Sequence, residues 1–124
     1  MSRQGFTFIE ILVVMIVLGL LATLAFVRLQ STKEKATVAA MVSDLHGVVE
    51  EQEGYYFTHR IYSITIDSLN PNPTAGNTIT VQEATVTGWS ATVVNPKTTK
   101  VCGVIVGTAA PIGTATRDGV MSCW

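Results

Sequence analysis

The sequence predicts an α+β fold: one long N-terminal helix, apolar in its first half and amphipathic in its second, packed against a small antiparallel β-sheet. Three observations carry that reading. Residues 6–27 hold 18 apolar side chains in 22 positions. Apolar residues then recur every three or four positions as far as Tyr56, and past residue 60 the composition turns from helical to strand-forming. With 124 residues and 13.3 kDa, the chain has room for one small domain.

Between residues 11 and 27 the only polar side chain is Thr23, and a helix of that stretch is about 25 Å long. Residues 6–10 extend it to the thickness of a bilayer core. A cleaved secretory signal has a positive start, a shorter apolar core and a small-residue site after that core. Ala22-Thr23-Leu24-Ala25 makes a poor site of that kind, and the helical pattern runs on past it, so the segment reads as retained. Within it Glu10 is the most informative residue, because a carboxylate at membrane depth costs a few kcal/mol unless it is paired or neutralised. No Lys, Arg or His stands at positions 6, 7, 13 or 14. The expectation is that the chain offers Glu10 no intramolecular side-chain partner.

Val38, Val42, Leu45, Val49 and Tyr56 follow at helical spacing, widened by Met41, Val48 and Tyr55. No proline precedes Pro71, and Gly19 and Gly47 each cost only about 1 kcal/mol relative to Ala. One helix can therefore run from about Phe6 to Phe57. Residues 28–60 carry nine charges, whereas 64–124 carry six and hold 12 threonines. Strands are expected at residues 78–86, 89–95, 100–108 and 119–124, separated by Thr87-Gly88, Asn95-Pro96 and Arg117-Asp118-Gly119 and preceded by Asn70-Pro71-Asn72-Pro73. Such short connections make an antiparallel meander with one face over the Val38 to Tyr56 stripe.

Several function classes fall away. Charged residues are 14% of the chain and the net charge is −1, which is no basic face for nucleic acid. Apolar residues are too plentiful for a disordered chain. Cys102 and Cys123 are too few for a zinc ribbon, and His46 and His59 lack bracketing ligands, so no metal and no cofactor are expected. Asp67, Glu83 and Asp118 are scattered and neither His has a neighbouring Ser or Cys, which argues against a membrane-anchored enzyme or binding module. Glu50, Glu51 and Glu53 read as a solvated face, with an intersubunit ion pair to Arg28, Lys33 or Lys35 as the second reading. Tyr55, Tyr56 and Tyr62 read as packing where helix meets sheet.

Gly5-Phe6-Thr7-Phe8-Ile9-Glu10, after a short polar leader with Arg3 and before an unbroken apolar run, resembles the class III signal of type IV pilins and type II secretion pseudopilins. The motif resemblance covers about residues 1–27, and the expected helix-plus-sheet architecture is similar to the family's over the rest. It implies a leader of residues 1–5 cut by a prepilin peptidase after Gly5, a membrane and assembly helix at 6–27, its amphipathic continuation at 28–60, and a globular sheet domain at 61–124. Phe6 becomes the new N-terminus, usually N-methylated, and its amine pairs with Glu10 of an adjacent subunit to set axial register. Gly19 falls where many members have a glycine. Where many have a proline eight residues later this chain has Val27, which puts local helix melting in doubt.

Cys102 and Cys123 read either as buried free thiols or as a bridge between the third strand and the last. The resemblance favours the bridge, since pilin-like domains are oxidised outside the cytoplasm. The implied activity is structural and not enzymatic: a pilin polymerising through its N-terminal helix into a type IV pilus at the cell surface. The alternative is a minor pilin or a type II secretion pseudopilin in the periplasm. Implied partners are identical or related subunits, the peptidase, inner-membrane assembly machinery and, before assembly, the membrane; adhesion, motility, DNA uptake and secretion are all family roles. One signal opposes the implied orientation. Arg28, Lys33 and Lys35 follow the apolar run and Arg3 alone precedes it, whereas cytoplasmic flanks normally carry the excess of basic residues.

Overall fold

A computed structural model describes residues 5–124, so Arg3 and most of the expected leader lie outside the described residues. The chain forms two compact units, the first ending at Lys33 and the second spanning Glu34–Trp124. Helix α1, Phe8–His59, contributes to both. The element order is α1, a 3₁₀ turn at Ile66–Ser68, then strands β1 (Thr78–Ala84), β2 (Gly88–Val94), β3 (Val101–Gly107) and β4 (Ser122–Cys123). This is the expected α+β architecture.

In the first unit every described residue is exposed, apolar ones on all sides included. Its most apolar 18-residue window has a mean hydropathy of 2.7, and the helix is long and apolar enough to cross a membrane. Its hydroxyls are satisfied locally: Thr23 donates to the Leu20 carbonyl at 2.8 Å, and Ser31 and Thr32 to that of Arg28. A lipid-facing helix needs such closure, because no solvent there can pair a stray donor. The helix passes through Val27 without interruption.

In the second unit Met41, Leu45, Val48 and Gln52 are fully buried on one face of α1. Met41, Leu45 and Val48 all belong to the expected stripe, and Val38, Val42 and Val49 pack at its flank. Gln52 is the one fully buried residue of this face outside the expected stripe. A polar residue sits at the centre of the face because its side-chain carbonyl accepts the Ser63 N–H at 2.8 Å and its amide donates to the Ser63 carbonyl at 2.7 Å. That fork anchors the chain just after the helix, which ends at His59 with Arg60 in the left-handed region.

The sheet is an antiparallel meander in the order β1-β2-β3-β4. Period-two alternation sends Ile79 and Val81, then Trp89, Ala91 and Val93, then Cys102 and Val104 to the helix side. These meet across the strands as Ile79↔Val93, Val81↔Ala91, Ala91↔Val104 and Val93↔Cys102. A bulge between Val81 and Glu83 restores the phase so that Ala84 faces Trp89. The opposite face is covered as well. Residues 108–121 lap over the opposite face and bury Ile105, Ala109 and Ala115, with Ile112 and Trp124 packed on them.

The last strand is shorter than expected, two residues instead of six. Gly119 (φ +69°) turns the chain and donates its N–H to the Ile105 carbonyl, while the Asp118 carboxylate accepts the Gly107 N–H at 2.7 Å. Glu83 holds the lap from below by accepting the Ala110 N–H at 3.1 Å. Cys102 and Cys123, paired across β3 and β4, are joined by a disulfide.

Candidate assembly site at the head of the apolar helix

Gly5, Phe6 and Thr7 precede α1 in non-helical conformation, and the helix begins at Phe8. Thr7 caps it. The Glu10 backbone N–H donates to the Thr7 hydroxyl oxygen at 3.3 Å. In return one Glu10 carboxylate oxygen, Oε2, accepts the Thr7 N–H at 2.8 Å and the Thr7 O–H at 2.9 Å. This is the reciprocal Thr-x-x-Glu box, which satisfies two donors that a helix start otherwise leaves unpaired.

The expectation that Glu10 has no intramolecular side-chain partner is therefore wrong. The partner is not an opposite charge but a neutral hydroxyl three residues back. The signal was in the sequence, as Thr7 and Glu10 stand at capping-box spacing immediately before an apolar run.

Phe6 is 85% exposed, and with Ile9, Val13 and Val14 it lines an apolar notch beside Glu10. Gly5 has open space around its Cα, with nothing within 4 Å of where a Cβ would stand. Gly5, Phe6 and Glu10 thus lie together at one end of the apolar segment. Cys102 and Cys123 belong to the sheet of the second unit and have no part in this site.

The remaining candidates take local roles. His46 and His59 each bring a ring nitrogen to a helix carbonyl, of Val42 at 2.9 Å and Tyr55 at 3.1 Å, and His59 stacks on Tyr55. Tyr62 stacks on Tyr56 and donates its hydroxyl to Glu53 at 3.2 Å. Glu50 and Glu51 are exposed. Sequence reasoning passed over Asp44, whose carboxylate accepts the Thr74 N–H and O–H and the Asn77 amide, pinning the proline-rich loop to α1.

Residues 1–26 match the family model described as the prokaryotic N-terminal methylation motif. The chain is also similar to Type II secretion system core protein G of Aeromonas hydrophila, 36% identical over 76 residues, which is 59% of this chain and 53% of that protein. The proteins of the same description from Klebsiella pneumoniae (40% over 70 residues, 56% and 50%) and Vibrio cholerae (32% over 76 residues, 59% and 52%) are similar too. These matches support the type IV pilin and type II secretion pseudopilin family for this chain. It spans about half the length of the curated relatives it matches. The Gly5–Glu10 head of the apolar helix lies within the matched methylation motif.

Proposed function

We propose that the chain is a pseudopilin of a type II secretion system, the alternative of the sequence reading, and not a surface pilus subunit. The observation that carries this is the similarity to several proteins described as type II secretion core protein G, extending past the shared methylation motif into the rest of the chain. A periplasmic filament is then its working form, and the inner membrane its store.

In this reading a prepilin peptidase cuts between Gly5 and Phe6, and Phe6 is N-methylated. Residues 6–27 become the membrane and assembly helix, 28–60 its continuation and 61–124 the globular domain. The capping box suits the assembly step. Thr7 occupies Oε2 of Glu10, so the carboxylate is held at the helix start, and among the described residues no hydrogen bond reaches Oε1. The Phe6 ammonium of a neighbouring subunit supplies the donor, and in a low-dielectric bundle one such pair per subunit fixes axial register.

Two measurements test this. Mass spectrometry of protein from native membranes should find a chain beginning at N-methylated Phe6; one beginning at Met1 sinks the reading. Deleting the gene should abolish release of exported enzymes into the medium and leave surface filaments in place. Lost filaments with intact secretion would restore the pilus reading.

A further inference from the structure

All four lysines of the chain stand in two short stretches, Lys33 and Lys35 on α1 and Lys97 and Lys100 in the β2–β3 turn. The fold brings Lys35 and the β2–β3 turn to one end of the second unit. The Thr98 hydroxyl donates to the Glu34 carboxylate at 3.3 Å across 64 residues of sequence. The turn itself is braced: the Lys97 N–H donates to the Asn95 side chain at 2.9 Å, the Lys100 N–H to the Thr98 hydroxyl at 3.2 Å, and Asn95 is buried against Asn77. Lys35, Lys97 and Lys100 are exposed on this braced end. Two carboxylates tied into it are engaged by neutral donors, Glu34 by Thr98 and Asp44 by Thr74 and Asn77.

We propose that this lysine-bearing end is a docking surface for the anionic phosphate headgroups of the membrane that anchors the chain. The inference rests on the membrane-anchored reading above. Lys35 comes eight residues after Val27, the end of the apolar run. Even fully extended, eight residues span at most about 28 Å, so connectivity bounds the distance of Lys35 from the headgroups. Three exposed ammonium groups on a rigid support suit such a surface, since lysines gain from anionic lipid additively and within a Debye length. It also gives the basic residues that follow the apolar segment, anomalous by the charge rule for topology, a use on the far side of the membrane. The headgroup contact would hold the subunit in the bilayer until the assembly machinery draws it out.

The full chain, reconstituted into nanodiscs of phosphatidylcholine alone or with phosphatidylglycerol, is footprinted with an amine-reactive reagent and read by mass spectrometry. Labelling of Lys97 and Lys100 should slow about fivefold with phosphatidylglycerol. It should recover at 1 M salt, where the Debye length falls to about 3 Å. Equal rates in the two lipids overturn the proposal. Protection by inorganic phosphate in phosphatidylcholine discs also overturns it, assigning the surface to a free anion. Protection in those discs that grows with the number of chains per disc, and is lost in Glu50→Gln/Glu51→Gln, assigns it to a second copy. A chain that fails to enter discs at all sinks the anchored reading itself, an outcome distinct from an inserted chain with unprotected lysines.

Discussion

Gly107 and Gly119 share almost the same left-handed backbone, φ +67° and +69°, in different surroundings. A Cβ on Gly107 would fall on the Thr87 carbonyl oxygen, while one on Gly119 meets nothing within 4 Å. Gly119→Ala should therefore cost about 1 kcal/mol, the strain of φ alone. Gly107→Ala should cost about 3 kcal/mol or more, because backbone on both sides must shift. Urea denaturation of the two variants separates the terms, and equal losses would refute the clash. Gln52→Leu should be more damaging than its hydrophobicity suggests: it strands the N–H and C=O of Ser63, itself buried, at about 1–3 kcal/mol each. Tyr62 reports on pH. Burial, then the neighbouring Glu53 carboxylate, pushes its phenol above the ordinary tyrosine range. The folded state thus keeps a proton that the unfolded chain loses near pH 10, so this contribution is complete below that pH and is lost as pH rises through the higher folded value. Tyr62→Phe should flatten the alkaline slope of stability, measured by denaturant midpoints between neutral and strongly alkaline pH.

At the level of elements, the C-terminal lap is where composition and structure part. The helix and the first three strands were legible from an unbroken apolar run and then three- and four-residue spacing along α1, β-branched composition at β1 to β3, and turn residues between. The lap repeats nothing. It is held by Glu83 under Ala110, Asp118 under Gly107, the Thr114 and Ser122 hydroxyls 2.6 Å apart, and Trp124 lying over Gly103. These are single contacts between residues distant in sequence, and no local pattern encodes them. The candidate site divides the same way. Gly5, Phe6 and Glu10 were readable as a motif, but the carboxylate's actual partner was hidden by a search for charge. Removing the covalent tie tests the lap: Cys123→Ser should lower stability by about 3 kcal/mol. That is a large share of what a domain of this size normally has. Thermal unfolding under oxidising conditions measures it, and a loss below about 1 kcal/mol would mean that the noncovalent contacts suffice.

For the whole molecule the two units predict separable failures. Gly5→Glu should leave uncut precursor in the membrane, since the residue before the scissile bond becomes large and charged, while the second unit folds normally; mature-length protein on an immunoblot would contradict this. Glu10→Val should be cut normally, yet incorporate into filaments about tenfold less beside wild-type subunits, because the neighbour's ammonium then lies unpaired in a dry bundle. Co-purified filaments with equal amounts of both subunits would remove Glu10 from assembly. The disulfide also sets a clock. Cys102 is the second residue of the sheet's third strand and its partner comes 21 residues later. For a chain that crosses the membrane as it is synthesised, at about 5–20 residues per second, the interval between the two cysteines lasts about one to four seconds. Through that interval β3 lacks its β4 partner and Cys102 its disulfide partner, so an oxidant faster than the ribosome that feeds the chain would meet Cys102 alone.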